Sequence, residues 1–564
     1  MDDYSPFDRG GGEKTDQTKT SNPFKRPYPP PLKPKPQETD AGTGWAPGTG
    51  PPTLSDVSSR PNTLKADAAK RDAVVDAFRH AWSAYEKDAF GDDEYHPISH
   101  RGSNLGSGGG IGYTVVDALD TMLLMGLESE YTRARTWVQE KLSFERHGYF
   151  SMFETTIRVL GGLLSAFFLT GDDLYKHHAA DLGDRLAVAF DTPSGLPGSS
   201  VNLGGRTAMN GGAVSISEAT TLQLEFRYLA EITGRVAFWH KAEKVMKVVN
   251  KARLPNGLAP ITLNSNGEFA HSGIRMGSNG DSYYEYLLKQ YIQTNRTEPV
   301  YLQMYGDAMQ GVHAHLVSKT PAQGLTYIAE LLPLADGKGG DWRSSWVSQP
   351  KQEHLACFLA GSLMLGATTA HRLDSSSPIS RPPRMDALTG AGQRDWATGV
   401  AFLEGCMDTH KTKTGLSPEG VNFRTPADPP SERDWYIKGA NKGGSLPYDA
   451  RYMLRPEIAE SVFLAWRLTG DARYRSYAWD IFSAIEAHCR LPGGGYATVR
   501  DVNQVPVEYE DKQETFFLSE TLKYLFLTFA DENVLDLSEV VFNTEAHPLP
   551  IFNPSIQPLF TKYS

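Results

Sequence analysis

Apolar residues recur at helical spacing along most of this chain, from about Lys65 to residue 530. Segments with apolar side chains at i, i+3, i+4 and i+7 alternate with connections rich in Gly, Pro and Asn, which is typical of helices joined by turns. The pattern predicts fourteen helices, at residues 67–90, 114–126, 129–142, 151–170, 174–189, 217–234, 236–252, 281–294, 298–318, 352–370, 391–410, 455–469, 472–489 and 514–530. We therefore predict an all-α domain over residues 65–564.

The first 64 residues lack this pattern. They are rich in Pro, Gly, Ser, Thr, Lys and Asp, and include Pro29-Pro30-Pro31-Leu32-Lys33-Pro34-Lys35-Pro36. A segment of this composition cannot bury enough apolar area to offset the entropy lost on ordering. Residues 1–64 are therefore predicted to form a disordered tail or stalk.

Three pairs of helices are joined by nearly identical turns. The turns read Leu169-Thr170-Gly171-Asp172, Ile232-Thr233-Gly234-Arg235 and Leu468-Thr469-Gly470-Asp471. In each, Gly supplies the left-handed residue that ends one helix, and the next helix starts at once, so each pair forms a tight αα-hairpin. A repeated hairpin predicts a repeated architecture.

Two kinds of helix alternate along the domain. Strongly apolar helices start near residues 114, 151, 217, 281, 352, 455 and 514, and the helices between them, such as 236–252, are amphipathic. Seven apolar helices inside seven amphipathic ones form an (α/α)7 barrel, which is the fold we predict.

The apolar helices carry acidic residues or His in their first turns. These residues are Asp117, Asp120, Glu154, Glu218, Asp281, Glu285, Glu353, His354, Glu457, Glu460, Glu514 and Glu520. Each acid taken alone is explained by the favourable charge at a helix N-terminus. If the inner helices run the same way, however, these ends gather at one mouth, and their number indicates a site.

The C-terminal stretch differs from everything before it. Val541-Phe542-Asn543-Thr544-Glu545-Ala546-His547-Pro548-Leu549-Pro550 contains two prolines and β-type residues, which exclude a further helix. Its apolar flanks favour burial, and polar groups carried into a core need partners, such as a hard cation or a polar ligand. We predict an extended segment that plugs the barrel; a solvated C-terminal strand is the simpler alternative.

Composition and charge narrow the range of partners. The 564 residues carry a net charge of -11 and a pI of about 5.8, with 40% apolar residues for a sizeable core. No basic run lies in the helical part, which argues against nucleic acid as the main partner. No stretch of 18 apolar residues occurs, so we expect no transmembrane segment, and the N-terminus lacks the apolar region of a signal peptide.

Three cysteines, Cys357, Cys406 and Cys489, are too few for a disulfide scaffold or a cysteine-based zinc site. One bridge and one free thiol are compatible with this number. The chain also has one N-glycosylation tripeptide, Asn295-Arg296-Thr297.

Two acidic motifs have the character of catalytic groups. Glu154 and Arg158 are four residues apart and share a helix face, as in a structural ion pair or in a carboxyl group tuned for acid catalysis. In Arg455-Pro456-Glu457, Pro occupies the first helical position, where the helix dipole keeps Glu457 ionised, as a base requires. Glu460 shares that face one turn later. A capped helix start is the alternative reading of this motif.

Eight long motifs occur in order along the helical region. They are Ala81-Trp82-Ser83-Ala84-Tyr85, Phe90-Gly91-Asp92-Asp93-Glu94, Val116-Asp117-Ala118-Leu119-Asp120-Thr121, Phe153-Glu154 to Gly162, Asp281-Ser282-Tyr283-Tyr284-Glu285-Tyr286-Leu287, Leu416-Ser417-Pro418-Glu419, Arg455-Pro456-Glu457 and Phe542-Asn543-Thr544-Glu545-Ala546-His547-Pro548. This set resembles the class I α-1,2-mannosidases, glycoside hydrolase family 47, and the resemblance covers about residues 67–564.

The resemblance implies an inverting hydrolase that removes terminal α-1,2-linked mannose from high-mannose N-glycans; we expect the chain to be a monomer. It implies Glu154 as the acid, Glu457 as the base and Asp281 as a third catalytic carboxylate, with the acid open between Glu154 and Asp281. Thr544 matches a residue that binds one Ca²⁺ through its hydroxyl and carbonyl oxygens, and oxygen ligands with waters suit that ion. The positions that match the sugar-lining and neighbouring residues are Arg158, Glu218, Glu285, His354, Arg455, Glu460, Phe516, Glu520 and Glu545.

The resemblance also bears on the compartment and on specificity. Cys357 and Cys406 match the family's bridged pair, which implies the oxidising secretory pathway, either the lumen of the endoplasmic reticulum or Golgi or secretion. Members of the endoplasmic-reticulum type have Arg where this chain has Asn279. We therefore expect a wider cleft that removes more than one mannose.

Two rival functions use related features. The first is a relative that binds misfolded glycoproteins as a lectin with little hydrolysis, which loss of Glu154, Asp281 or Glu457 would favour; all three are present. The second is a barrel that acts on another polymer or as a lyase, which would need a Tyr or His base and no calcium.

Overall fold

The computed structural model describes residues 64–562, apart from 107, 255, 335–344, 375–378, 430, 432 and 440–445. The predicted tail, residues 1–64, lies outside this described part except for Leu64, which is buried.

Each of the fourteen predicted segments contains helix, so the helical periodicity was interpreted correctly. The helices are α1 Ala68–Ala89, α2 Tyr113–Asp117, α3 Leu119–Met125, α4 Glu128–Glu140, α5 Met152–Glu154, α6 Gly161–Thr170, α7 Asp173–Leu186, α8 Ile216–Thr220, α9 Gln223–Thr233, α10 Val236–Ala252, α11 Asp281–Gln293, α12 Pro299–His315, α13 Phe358–Thr369, α14 Gly390–Asp408, α15 Glu457–Thr469, α16 Ala472–His488 and α17 Leu522–Phe529. Two wider, π-helical turns interrupt the inner helices, at Thr155–Leu160 between α5 and α6 and at Phe517–Thr521 before α17.

The inner helices form a closed ring. Within the described residues, α3, α6, α9, α11, α13, α15 and α17 each contact the next helix in this order, and the turn before α17 contacts α3. The outer helices α4, α7, α10, α12, α14 and α16 each pack on the inner helix before them, and α1 packs on α17. The chain therefore forms the expected α/α barrel.

The repeated turns are built as predicted. Gly171, Gly234 and Gly470 have φ values of 69°, 68° and 68°, in the left-handed region that ends a helix without steric cost. Each turn joins an inner helix to the outer helix that packs on it, so the Thr-Gly pair sets the repeat of the barrel.

Short antiparallel strands lie in the connections between the helices. They are β1 Glu94–His96, β2 Arg101–Ser103, β3 Tyr149–Ser151, β4 Ser200–Asn202, β5 Thr207–Met209, β6 Val214–Ser215, β7 Thr262–Leu263, β8 Val317–Lys319, β9 Thr326–Ile328, β10 Glu330–Pro333, β11 Trp346–Gln349, β12 Lys351–Glu353, β13 Gly420–Phe423, β14 Trp435–Tyr436, β15 Thr498–Val499, β16 Tyr509–Glu510, β17 Val540–Phe542 and β18 Pro548–Pro550. Glu353, which was predicted to begin a helix, ends strand β12 because Gln352 and Glu353 pair with β13. Helix 298–318 likewise ends early, at His315, and β8 follows it.

One described helical stretch, Met152–Thr170, is long and apolar enough to cross a membrane by length and composition. Within the fold, 72% of its most apolar window is buried. This stretch contains α5, the π-helical turn and α6, and it forms one wall of the inner ring.

Two cysteines join an inner helix to its outer partner. Cys357, just before α13, is bonded to Cys406 on α14, which confirms the expected pairing. Cys489, at the end of α16, is a buried free thiol whose pKa is raised by burial. A thiol held in its protonated form is a poor nucleophile, so Cys489 should react only after unfolding.

The bridge should stabilise the barrel measurably. It closes a loop with a sequence separation of 49 residues, for which chain entropy predicts a stabilisation of about 4 kcal/mol. We expect the double variant Cys357→Ala, Cys406→Ala to unfold at a lower denaturant concentration than the wild type. The variant Cys489→Ala, which removes the cysteine outside the bridge, is the control. Thiol titration of the wild-type chain under denaturing conditions should find one free thiol before reduction and three after it. Three free thiols before reduction would contradict the bridge.

Candidate active site

The three carboxylates expected to be catalytic lie at the N-terminal ends of inner helices. Glu154 lies in the first turn of the continuous helical stretch Met152–Thr170, Asp281 is the first residue of α11, and Glu457 is the first residue of α15. The side chain of Glu154 is 39% exposed and that of Glu457 is 13% exposed. Helix N-termini present free N–H groups, so all three positions favour negative charge or a polar ligand.

Arg158 connects Glu154 to the C-terminal segment. Its Nε donates a hydrogen bond to Glu154 Oε2 at 2.7 Å, and its Nη1 donates to Thr515 Oγ1 at 3.0 Å. Nη1 also pairs with Glu545, and it lies 3.7 Å from Asp117 Oδ2. One guanidinium group thus draws together carboxylates from three separate parts of the chain.

The ring of Phe516 links the Glu154 side of the site to the Glu457 side. The guanidinium carbon of Arg158 lies 5.7 Å from the ring centroid, and that of Arg455 lies 5.8 Å from it. Phe516 is 8% exposed, just before the π-helical turn that leads into α17. The structure therefore brings Glu154 and Glu457 to one site, each through its own arginine.

Glu457 is surrounded by groups that favour its ionised form. His354 Nδ1 lies 2.8 Å from Glu457 Oε2, and Arg455 Nη1 lies 3.7 Å from Oε1. Burial opposes ionisation, but the hydrogen bond with His354 and the charge of Arg455 hold the pKa of Glu457 below its usual value. Arg455 is itself fixed by three hydrogen bonds that it donates to Glu419, at 2.9, 2.7 and 2.6 Å. Glu457 can therefore accept a proton at neutral pH.

Asp281 has the opposite character. Ser217 Oγ and the backbone N–H of Ser282 each donate to Asp281 Oδ1 at 2.8 Å. Burial nevertheless raises the pKa of Asp281 to about 7, and the charge of Glu285 acts in the same direction. A carboxyl group of this kind retains a proton near neutral pH and can donate it.

A buried lysine joins two of the expected sugar-lining residues. Lys289, on α11, pairs with Glu285 one turn earlier and lies 3.5 Å from Glu460 Oε1. Burial raises the pKa of Glu460, whereas the charge of Lys289 opposes that shift. Sequence reasoning missed Lys289, although a lysine that follows Leu287 and Leu288 within an inner helix is a signal of a buried charge.

Glu520 and Glu545 make the site strongly acidic. They are 7% and 2% exposed. Burial raises the pKa of Glu520 well above its usual value, and the charges of Glu545 and Glu457 add to the effect. Burial likewise raises the pKa of Glu545, against the charge of Arg158. Buried acids with too little positive charge nearby suit a cation or a hydroxyl-rich ligand.

The C-terminal stretch is a hairpin of β17 and β18 whose turn contacts several inner helices. Asn543 Nδ2 donates to the carbonyl oxygen of Ile157 at 2.9 Å and to Glu225 Oε1 at 2.8 Å. Thr544 Oγ1 donates to Glu285 Oε2 at 2.8 Å. The turn is therefore buried rather than solvated, which excludes the simpler alternative of a free C-terminal strand.

Fully buried charges fix the return strand of this hairpin. His547 Nδ1 lies 2.7 Å from Asp120 Oδ2, and Nε2 lies 3.0 Å from Asp117 Oδ1. Lys523 Nζ lies 2.7 Å from Asp120 Oδ1 and donates to the carbonyl oxygen of Ala546 at 2.7 Å. Burial opposes protonation of His547, but the two carboxylates raise its pKa above the usual value. His547 therefore bridges the two carboxylates, and Lys523, which the sequence analysis did not identify, pairs with Asp120.

The surroundings of Thr544 have the chemistry that suits a hard cation. No group of three or more His, Cys, Asp or Glu side chains able to hold a metal occurs among the described residues. The Thr544 hydroxyl nevertheless lies within a buried acidic region next to Glu285 and Glu545. Oxygen donors and excess negative charge are the chemistry that Ca²⁺ prefers.

Glu218 is the expected sugar-lining residue with the clearest local role. Its side chain accepts from the backbone N–H of Ser215 at 3.1 Å, while Ser215 Oγ accepts from the N–H of Glu218 at 3.0 Å. This is a complete capping box at the start of α8. The side chain is partly exposed, and its described hydrogen bonds do not connect it to the carboxylates above.

Comparison with known proteins agrees with these observations. Residues 77–551 match the model of glycosyl hydrolase family 47. The chain is 39% identical over 516 residues to the mannosyl-oligosaccharide 1,2-alpha-mannosidase of Candida albicans, covering 89% of this chain and 86% of that protein. It is 40% identical over 496 residues to the endoplasmic reticulum mannosyl-oligosaccharide 1,2-alpha-mannosidase of Homo sapiens, covering 86% of this chain and 64% of that protein.

A solved structure is also similar. The alpha-1,2-mannosidase from Trichoderma reesei aligns with a TM-score of 0.74 at 27% identity, covering 86% of this chain and 100% of that one. The fold and the family match define the class, an α/α-barrel glycoside hydrolase. Within that class, the chain belongs to glycosyl hydrolase family 47, which confirms the resemblance that the motifs predicted.

Proposed function

We propose that this chain is an exo-acting α-1,2-mannosidase that removes terminal α-1,2-linked mannose from high-mannose N-glycans with inversion. One arrangement carries the proposal: two carboxyl groups at the N-terminal ends of inner helices have contrasting partners, Glu457 beside His354 and Arg455, and Asp281 beside Ser217 with no cation bonded to it among the described residues. Paired groups of this kind are what glycoside hydrolysis requires. The names of the relatives from Candida albicans and Homo sapiens support the substrate class.

Glu457 acts as the general base. It accepts a proton from a water molecule whose oxygen attacks the anomeric carbon of the terminal mannose, on the face opposite the leaving sugar. The glycosidic C–O bond breaks as the new C–O bond forms, so the anomeric configuration inverts. His354 and Arg455 orient the carboxylate for this step.

Asp281 is the better candidate for the general acid, which donates a proton to the leaving glycosidic oxygen. It retains a proton near neutral pH, whereas Glu154 forms an ion pair with Arg158. We assign Glu154 and Arg158 to binding the sugar and keeping it in position for attack by the water molecule. Phe516 offers an aromatic floor to the apolar face of the mannose, with Arg158 and Arg455 beside it.

This assignment predicts an alkaline limit to activity. Because Asp281 must be protonated to donate, kcat/KM should fall as the pH rises through about 7, where Asp281 ionises. The residual activity of Asp281→Asn should no longer fall as the pH rises through about 7, whereas that of Glu154→Gln should still fall. A pH profile of mannose release checks both variants. The reverse pattern would assign the proton donor to Glu154.

We further propose that the β17–β18 hairpin plugs the barrel and presents Thr544 to one Ca²⁺. The hydroxyl and carbonyl oxygens of Thr544 would hold the ion, with waters completing its shell. When bound, the ion supplies positive charge and oxygen coordination that orient sugar hydroxyls within the acidic site. Glu285, Glu520 and Glu545 would then act as hydrogen-bond acceptors around the ion and the sugar.

Asn279 should allow more than one mannose to be removed. It is exposed at the mouth, two residues before Asp281, with a φ of 69° that suits Asn better than a long side chain. We expect digestion to continue past the first product, and Asn279→Arg to slow the later steps relative to the first. Mass spectrometry of timed digests measures this ratio. Clean arrest of the wild-type enzyme at one eight-mannose isomer would contradict it.

One experiment tests the proposed function as a whole. Purified enzyme is incubated with a nine-mannose N-glycan, and released sugar is followed by proton NMR. We expect free mannose that appears first as the β-anomer and then mutarotates. Glycan binding without release would favour a lectin instead, and α-mannose appearing first would overturn the inverting mechanism.

The disulfide and the relatives support a location in the secretory pathway. A Cys357–Cys406 bridge is stable in an oxidising compartment. The Homo sapiens relative is named for the endoplasmic reticulum. We propose that this chain works in the lumen of the secretory pathway or after secretion, where high-mannose N-glycans are met.

A further inference from the structure

We propose that Asn295 carries an N-linked glycan, so that this enzyme is itself a glycoprotein; the proposal rests on the secretory location given above. Asn295-Arg296-Thr297 is the only tripeptide of the acceptor type in the 564 residues, and its middle residue is not Pro. Asn295 and Thr297 are both exposed, in the turn between α11 and α12. An acceptor must lie on the surface of the folded product, and this one does.

The contacts of Asn295 leave room for the modification. Within the described part of the chain, its Nδ2 donates one hydrogen bond, to Asn553 Oδ1 at 3.0 Å. Transfer from a lipid-linked diphosphate oligosaccharide forms a bond between Nδ2 and the first sugar, breaks the sugar–oxygen bond to the diphosphate, and releases one amide proton. The modified amide keeps one N–H, which is still a donor available to Asn553.

The acceptor lies far from the candidate active site. Asp281 begins α11 and Gln293 ends it, so the turn that carries Asn295 is about 20 Å along the helix axis from the acidic end. A glycan at this turn projects from the end of the barrel opposite the acidic site, so it does not cover the cleft. We therefore expect loss of the glycan to leave kcat and KM for the nine-mannose substrate unchanged.

The chain contains its own negative control next to the acceptor. Asn553-Pro554-Ser555 also has Asn first and a hydroxyl residue third, Ser in place of Thr, but Pro in the middle position blocks the modification. Asn553 is exposed like Asn295, and the two side chains are hydrogen-bonded to each other. The pair therefore separates the effect of the tripeptide from the effect of location, because both amides occupy one patch of surface.

The test uses the full chain, fused to a cleavable secretion signal so that entry into the secretory pathway is assured. Wild type, Thr297→Ser, Thr297→Ala and Asn295→Asp are compared by gel mobility before and after removal of N-glycans with an amidase. Asp is chosen because residue 295 has a φ of 52°, which Asp tolerates. Pro554→Ala, alone and combined with Asn295→Asp, opens the control tripeptide.

We expect one glycan on the wild type and on Thr297→Ser, and none on Thr297→Ala or Asn295→Asp. Mass spectrometry should place Asp, produced by the amidase, at position 295. Combining Pro554→Ala with Asn295→Asp should restore one glycan, now at Asn553. A secreted, active wild-type enzyme with an intact Cys357–Cys406 bridge and no glycan overturns the proposal; a glycosylated enzyme that releases no mannose overturns the proposed function instead.

Discussion

Replacing Glu457 with glutamine should lower kcat by about 10²–10⁴, the usual contribution of a general base. Glutamine has nearly the same shape and can still hydrogen-bond to His354, but it cannot accept a proton from the attacking water. Arg455 keeps its hydrogen bonds to Glu419, so the local structure should survive. Initial rates of mannose release at saturating nine-mannose glycan measure the effect.

A matched variant controls for the loss of one negative charge. Glu486 lies on the outer helix α16 and bonds to Arg490 at 2.8 Å, so it too is a glutamate held by an arginine. Glu486→Gln should retain wild-type kcat, and both variants should keep the wild-type melting temperature within a few degrees. A Glu457→Gln enzyme with near-normal kcat would show that another group activates the water.

Removal of calcium should abolish activity and lower the melting temperature. An ion that binds only the native state stabilises it by RT ln(1 + [L]/Kd), which is about 2.7 kcal/mol when the free ion exceeds Kd a hundredfold. We expect exhaustive treatment with EDTA to stop mannose release, and added Ca²⁺ to restore both activity and melting temperature. Calorimetry with and without the ion measures the stabilisation independently of catalysis.

The hydroxyl of Thr544 supplies the sharper test. Thr544→Val removes one oxygen ligand with little change of shape, so Ca²⁺ should no longer raise its melting temperature to the same extent. Thr528→Val is the matched control, because Thr528 is buried on α17 and, among the described residues, its Oγ1 donates only to the carbonyl oxygen of Tyr524, at 2.8 Å. Full activity after chelation, or an unchanged calcium response in Thr544→Val, would contradict the assignment of a calcium ion to this site.

The local features of the barrel could be predicted from sequence. Helical periodicity and turn residues act between near neighbours in the chain, so all fourteen helical segments and the Gly171, Gly234 and Gly470 turns were foreseen. Helix boundaries were less certain. The pairing of β12 with β13 draws Glu353 into a strand, and the π-helical turn at Phe517–Thr521 delays the start of α17. The strand pairing depends on a segment distant in sequence, and the helical periodicity does not display the π-helical turn.

The sequence by itself determined the family, the helical repeat and the identity of the acidic residues, because each is a pattern of residue types. Only the tertiary structure decided how those acids differ. Burial and the neighbours His354 and Arg455 keep Glu457 ionised, whereas burial holds a proton on Asp281 near neutral pH. The countercharges Lys289 and Lys523 reach their partners across separate helices. A pKa depends on solvation and on charges brought close by folding, which the order of residues does not display.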